Sequence, residues 1–405
     1  MRILVINSGS SSIKFSVFDS GPAGSASEPH LLLDGELSGI GGPNASLKLR
    51  GSDIADPAAQ KSKVQIRTPV EALALVLNAV TQSQTPSIDA VGYRVVHPGA
   101  KLDRHQRITP EVVADMEAAA IFAPLHDPAV ITIIREGMAR FPGIAHYACF
   151  DTVFHQTMPQ EASTYPIPRE YREQGARRYG FHGLSCESIV RQLRTEAIEF
   201  PKHLVIAHLG SGCSVTALID GRSVDTSMGL TPTGGIVMGT RPGDLDPGLV
   251  LYFLRQQKAE AKDAIAAVEA MLNHSSGMVA LSGMENDMKA VRAAAIAGDV
   301  QAQLAVKVFT RSVTKAIGGF CWLMRALDAI VFSGGIGEHD AATRAEILSN
   351  LQCLGIAIDA SLNEGSGSGI RRINASDSEK AVFVVPAQEN LMIAVHVDQM
   401  ARSGI

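Results

Sequence analysis

The chain alternates short apolar runs and polar turns with longer segments whose apolar residues recur every three or four positions, a pattern of strands interleaved with helices. The first run, Leu4-Val5-Ile6, leads through Asn7-Ser8-Gly9-Ser10-Ser11-Ser12 into a strand-like stretch ending at Asp19. The same order returns at Leu204-Val205-Ile206, through Gly210-Ser211-Gly212-Cys213-Ser214 to Asp220. Each copy reads as strand, tight polar turn, strand. Val5 and Val205 stand half of the 405-residue chain apart, which predicts two related halves rather than a solenoid of short repeats. Gly and Ser at such turns allow positive φ and leave backbone N–H groups bare, so a hairpin of this kind can cradle phosphate oxygens. Ordinary hairpin tips have the same composition, and it is the pairing at half-length that favours the functional reading.

Elsewhere, Thr109 before Pro110, Asp127 before Pro128 and Asp246 before Pro247 each place a capping side chain ahead of a proline suited to the first helical turn. Residues 286 to 325 are alanine-rich and helical in period. Ala329-Ile330-Val331-Phe332 reads as a strand that runs into Ser333-Gly334-Gly335-Ile336-Gly337-Glu338 and then a helix. Strand, glycine turn, helix is a phosphate or nucleotide geometry, because a helix start offers N–H donors and partial positive charge. Residues 20 to 29 and 363 to 378 read as loops, and Arg169 to Arg178, which mixes both charges, reads as a solvated face. The predicted division is 1–150 plus 388–405 for a first domain, with the last helix folding back onto it, and 151–387 for a second.

Composition narrows the class. Apolar residues make up 46% and charged residues 19%, enough for a large core, and 405 residues exceed the usual span of one core. A formal net charge of -5 leaves no basic footprint for nucleic acid. The five cysteines (Cys149, Cys186, Cys213, Cys321, Cys353) are scattered, with no C-x-x-C pair, and read as reduced core thiols. The start of the chain is too short in apolar residues for a secretory signal and no run matches a membrane span, so a cytoplasmic protein is expected.

No G-x-x-x-x-G-K-[ST] or G-x-G-x-x-G occurs, which argues against a P-loop or a dinucleotide-binding turn. Six strings instead carry a resemblance: Val5-Ile6-Asn7-Ser8-Gly9-Ser10-Ser11-Ser12-Ile13-Lys14, Ala123-Pro124-Leu125-His126, Phe150 to Pro159, Arg178-Tyr179-Gly180-Phe181-His182-Gly183, Asp225-Thr226-Ser227-Met228-Gly229 and Gly239-Thr240-Arg241. In this order and across the whole chain they resemble the acetate kinases, within the superfamily that also holds sugar kinases, actin and heat-shock ATPases. The resemblance implies an α/β, duplicated ribonuclease-H-like (actin-like ATPase) two-domain fold with an interdomain active-site cleft, a homodimer, and reversible phosphoryl transfer from ATP to acetate giving ADP and acetyl phosphate.

Phosphoryl transfer asks a protein for metal, cations around the transferring group and alignment of the attacking oxygen. By resemblance, Asn7 and Glu389 help hold Mg2+, with Mn2+ as an alternative, and Lys14 lies by the nucleotide phosphates. Arg94 and Arg241 clamp carboxylate and phosphoryl group, while His182, helped by His126, donates to the equatorial oxygens. Asp151 stands where the family's proposed acid/base residue does. Acetate is ionised at neutral pH and has no proton to give, so the expected role of Asp151 is to orient Arg94, Arg241 or the metal shell. A lone buried arginine is more often a structural ion pair, and the motif around Arg94 reverses those odds. His155, four residues after Asp151, reads as structural, its partner on a helix face; His97 has no assigned role. The nucleoside is expected near His208-Leu209-Gly210-Ser211-Gly212, Asp287-Met288-Lys289 and Gly335-Ile336-Gly337-Glu338-His339.

The resemblance also places Val96, Leu125, Phe181 and Pro232 around the substrate methyl group, a small apolar pocket that favours acetate over propionate without excluding it, since a methylene is worth about 1 to 3 kcal/mol there. Ser211, Lys289, His339 and Cys186 depart from the family's usual Asn, Arg, Asn and His, which bears on nucleotide preference and rate. Two rivals follow: a propionate or other short-chain carboxylate kinase, and a weakened, non-enzymatic relative. A chaperone or filament ATPase ranks last, because the chain has no spare domain for a large partner.

Overall fold

The computed structural model describes residues 1–9, 12–22, 28–42, 44–51, 60–82, 87–122, 127–196, 199–257 and 260–404. The chain forms two compact units: residues 1–153 with 388–405, and residues 154–387.

The first unit is built on a sheet whose strands are β1 (Arg2–Ser8), β2 (Ser12–Asp19), β3 (His30–Ser38), β4 (Ser46–Gly51), β5 (Gln60–Lys63), β6 (Ala90–Val95), β7 (Gln106–Arg107) and β8 (Ala145–Phe150). Among the described residues the order is β5-β4-β3-β2-β1-β6-β8-β7. β1, β2 and β3 run as an antiparallel meander, and β6 and β8 continue the sheet parallel to β1. β1 is buried from Ile3 to Ile6 with almost no alternation, as a strand covered on both faces should be. Val76, Ile134, Tyr93 and Phe150 belong to the core on one face. On the other, the helix Glu389–Ser403 lies so close that a Cβ at Gly92 would stand 2.7 Å from the side chains of Ile393 and Val397.

The second unit repeats the plan. Its strands β9 (His203–Leu209), β10 (Cys213–Ile219), β11 (Arg222–Thr226), β12 (Ala329–Ser333), β13 (Arg371–Arg372) and β14 (Ala381–Val384) form a sheet in the order β11-β10-β9-β12-β14-β13. β9, β10 and β11 are antiparallel, and β12 and β14 run parallel to β9. The second hairpin therefore has the same neighbours, with the same senses, as the first.

Local signals behaved as their chemistry requires, with four corrections. Thr109 Oγ1 accepts from Val112 N–H at 3.3 Å and Asp246 Oδ1 from Gly248 N–H at 2.7 Å, and helices begin at all three proline sites. The alanine-rich stretch is two helices, Met288–Ile296 and Val300–Met324, because Gly298 takes φ +97° and Asp299 accepts from Ala302 N–H to start the second. β12 passes straight into the short helix Gly334–His339, with Gly334 at φ +74° making the bend where a Cβ would strike the backbone of Leu209. Residues 363 to 378, read as loop, include β13 and the end of the helix Ala360–Glu364. In the charged run, Arg169 pairs with Glu173 at the surface, but Arg178 turns inward and donates to the carbonyls of Thr226, Ser227 and Met228 at 2.9 to 3.1 Å.

All five cysteines are free thiols, only Cys353 being exposed. Among the described residues no helix is long and apolar enough to cross a membrane.

Candidate active site

In sheets with parallel strands, ligands are met at the carboxyl ends of those strands. In the first unit that edge carries Asn7 on β1, Arg94 on β6 and Asp151 one residue beyond β8. Asp151 N–H donates to Val95 O at 3.1 Å, which ties the residue to the neighbouring strand. Its carboxylate, fully buried, takes Arg94 in a two-pronged grip: Nε donates to Oδ1 at 3.0 Å and a terminal nitrogen donates to Oδ2. Burial opposes the charge on Arg94, but the carboxylates of Asp151 and Glu389 outweigh it and hold the guanidinium's pKa above its ordinary value.

The third edge of that guanidinium donates to Asn7 Oδ1 at 3.3 Å. Asn7 Nδ2 in turn donates to Glu389 Oε2 and to Asn390 Oδ1, both at 3.0 Å. Glu389 opens the helix Glu389–Ser403, where the N-terminal dipole favours its negative charge. Asn390 Nδ2 donates to Ser16 Oγ, and Ser16 Oγ to Asp34 Oδ1, each at 2.8 Å, so the network is anchored across β2 and β3. Lys14 pairs with Asn7 across the hairpin and therefore projects from the same face, with its side chain exposed. Val96 follows β6 and is half-buried. Ser10, Ser11, Leu125 and His126 lie outside the described residues.

In the second unit the same edge is made of backbone and rings. His182 precedes the helix Gly183–Thr195 with φ +60°, a left-handed conformation that costs a non-glycine residue about 1 to 2 kcal/mol and clusters at functional sites. Its ring stacks on His208 with centroids 4.3 Å apart. A serine holds the Nδ1 edge of each ring, Ser214 Oγ at 3.0 Å from His182 and Ser185 Oγ at 2.8 Å from His208. Where a Cβ would stand at Gly212, His182 Nε2 is 3.3 Å away and an Arg241 terminal nitrogen 3.6 Å away. A methyl here would crowd the imidazole and touch the guanidinium. Arg241 also donates to Pro232 O at 3.0 Å. Pro232 and Phe181 are buried, Phe181 directly before His182 in the chain.

The turn Gly210-Ser211-Gly212, following Leu209, approaches the glycine bend after β12: a Cβ at Gly210 would lie 3.9 Å from Gly335 N. Two residues expected at the nucleotide serve as backbone clamps. Glu338 Oε1 accepts from Gly334 N–H at 3.0 Å and Ala387 N–H at 3.1 Å, so the first N–H of that helix is already engaged. Asp287 accepts from the N–H groups of Lys289 and Ala290 and caps the helix Met288–Ile296, leaving Met288 half-buried and Lys289 exposed on its first turn. Ile336 is half-buried, Gly337 buried and His339 exposed at the end of the neighbouring short helix.

His155 is structural, with partners other than expected. The short helix Val153–Thr157 begins after Asp151, so the two share no helix face. Its Nε2 meets Phe181 O at 2.9 Å and its Nδ1 meets Ser223 Oγ at 3.0 Å; burial lowers its pKa to about 4. His97 Nδ1 accepts from Gly99 N–H and its ring stacks on Phe122, a loop-shaping role. Sequence reasoning passed over Ser185, Ser214, Ser16 and Asn390, ordinary polar residues whose importance lies in partners remote along the chain.

The profile of the acetokinase family matches residues 2–395. The chain belongs to the acetokinase family. A protein of Halothermothrix orenii named acetate kinase is 39% identical over 407 residues, covering 97% of this chain and 98% of its own. The crystal structure of Porphyromonas gingivalis acetate kinase superposes with a TM-score of 0.82 at 32% identity, covering 99% of each chain. That of a propionate kinase from Francisella tularensis gives 0.86 at 34% identity, covering 98% of this chain and 99% of that one. Acetokinase fold and catalytic class, an ATP-dependent phosphotransferase, come with this membership.

Proposed function

We propose that the chain moves the terminal phosphoryl group of ATP reversibly to acetate, giving ADP and acetyl phosphate. A carboxylate oxygen of acetate attacks the γ-phosphorus as the bond to the β,γ-bridging oxygen breaks, and no proton is gained or lost. Arg94 and Arg241 neutralise the carboxylate and the transferring group. His182 donates to an equatorial oxygen, while Lys14 and the turn Gly210-Ser211-Gly212 meet the phosphate chain. Val96, Phe181 and Pro232 enclose the methyl end. Asp151 acts through Arg94 as a positioning residue, since a fully buried carboxylate held by a bidentate guanidinium has no proton to exchange with an already ionised acid. The observation that carries the reading is the approach of His182 and Arg241 to the glycine turn at Gly212.

A magnesium ion belongs to this reading. The Glu389 carboxylate is the hard oxygen donor that Mg2+ takes, while Asn7, as it is oriented, donates one N–H to Glu389 and so would fix that ligand. When bound, the ion would offset phosphate charge, Mn2+ serving in its place. A cytoplasmic homodimer without nucleic-acid or membrane partners completes the proposal, in keeping with the net charge of -5. A second reading, propionate kinase, is supported by the likeness to the Francisella protein.

The test is acid-dependent ADP formation from ATP with acetate, propionate and butyrate, with the acyl phosphate trapped as its hydroxamate. A kcat/KM highest for acetate supports the proposal, one highest for propionate selects the second reading, and no turnover with any acid points to the weakened relative.

A further inference from the structure

Asn286 stands between three segments of the second unit. Its Nδ2 donates to Ser211 Oγ at 2.9 Å, on the turn of the β9–β10 hairpin. On its other side Gly239 comes so near that a Cβ there would run into the Asn286 amide, and Gly239 N–H donates to Ser211 O at 3.1 Å. Gly239 is two residues from Arg241. The next residue after Asn286, Asp287, caps the helix Met288–Ile296. One amide therefore joins the hairpin turn, the loop that carries Arg241 and the segment Asp287-Met288-Lys289.

A serine hydroxyl has one hydrogen and two lone pairs. By accepting from Asn286, the Ser211 oxygen has its hydrogen turned to some other acceptor, and Ser211 is exposed on a turn whose neighbours, His182 and Arg241, are cationic or hydrogen-bond donors. An anionic oxygen is the acceptor such surroundings favour. We infer that Asn286 is a positioning residue for the nucleotide: its amide orients Ser211 so that the Ser211 hydroxyl donates to a phosphate oxygen of ATP. The inference rests on the phosphotransferase reading above. Asn286 itself does not touch the nucleotide.

Three single variants of the full chain, Asn286→Ala, Asn286→Asp and Ser211→Ala, and the double alanine variant test it. Two readouts are needed: the Kd of a non-hydrolysable ATP analogue with Mg2+ by calorimetry, and the KM for acetate. One hydrogen bond to a charged group corresponds to about a tenfold to hundredfold change in Kd for either alanine variant. The KM for acetate stays within about twofold, and the double variant is no worse than about twofold beyond the weaker-binding single, because both remove the same contact. Aspartate has the shape of asparagine but accepts from Ser211 and draws the hydrogen away from phosphate, so Asn286→Asp binds the analogue more weakly than Asn286→Ala. A residue that merely fills space would show the reverse order. Aspartate binding as tightly as wild type, or alanine effects that multiply in the double variant, overturns the inference. If Asn286→Ala does not fold, Asn286→Asp and Ser211→Ala still decide it. Calorimetry needs no turnover, so a wild-type chain that binds the analogue but forms no acyl phosphate would sink the acetate reading while the order of the variants still judges Asn286.

Discussion

The two units share a sheet plan and differ in what they place at its carboxyl edge. In both, a three-strand antiparallel meander meets two parallel strands, β3-β2-β1-β6-β8 in one and β11-β10-β9-β12-β14 in the other. The first unit fills the edge with charge closed on itself: Arg94 is held by Asp151 and Asn7, and Asn7 by Glu389 and Asn390. The second sets glycines at 210, 212 and 335, and brings up two stacked imidazoles and Arg241. Repetition of a fold thus supplies two equivalent edges, and divergence makes one a rigid ion-pair cluster and the other a cradle. The cluster is stabilised by its own pairing; at the other edge glycine keeps the turn open beside the imidazole.

The largest expected effect separates two arginines. Arg94→Ala takes the bidentate guanidinium from the buried Asp151 carboxylate, which should cost about 3 to 5 kcal/mol of stability as well as activity. Arg241→Ala should cut kcat by about a hundredfold to a thousandfold while thermal unfolding shifts little. Melting curves beside steady-state rates check this, and equal loss of stability in both variants would erase the contrast between the units.

Acid should weaken the second unit through His155. Its folded pKa of about 4 lies below the ordinary 6.5, so between those values the unfolded chain binds the proton and the folded one does not. Stability therefore falls as pH drops from about 6.5 toward about 4, by up to about 1.4 kcal/mol per unit, with no further loss from this group below that. The slope of Tm against pH should flatten in His155→Gln; an unchanged slope would assign the acid sensitivity elsewhere, including to His105, which burial lowers to about 3 in the first unit.

Smaller effects sharpen the picture. Gly92→Ala forces a methyl against Ile393 and Val397 and should cost about 1 to 3 kcal/mol by denaturant titration. Its KM values should stay close to wild type, because the damage lies on the helix-covered face of the sheet. Val96→Ala, the mildest, should raise the propionate-to-acetate ratio of kcat/KM by up to about tenfold, and an unchanged ratio would move the wall of the acid pocket elsewhere.

Much of the scaffold was legible along the chain. Apolar runs marked β1, β9 and β12, proline-linked caps marked helix starts, and the echo of Leu4-Val5-Ile6 at Leu204-Val205-Ile206 anticipated two sheets of one plan. These signals are local, set by side-chain period and backbone propensity over a few residues. What it left out was of a different kind. Helical period over 286 to 325 did not mark the break at Gly298, and nothing along the chain showed that the carboxylates of Glu338 and Asp287 accept from backbone N–H groups. A carboxylate's partner is decided by whichever donors the fold brings near, and sequence spacing does not encode that.

What the sequence determined by itself is therefore the strand and helix order, the doubling of the hairpin and the family strings, since each depends on residues adjacent in the chain. Tertiary structure alone decided that Arg94 is gripped by Asp151 from 57 positions away, that Asn7 meets a glutamate 382 positions on, and that His182 and Arg241 close on Gly212. The reason is physical: a buried charge or amide must find its counterpart in space, and the sheet edge is where this chain's distant segments come within hydrogen-bond reach.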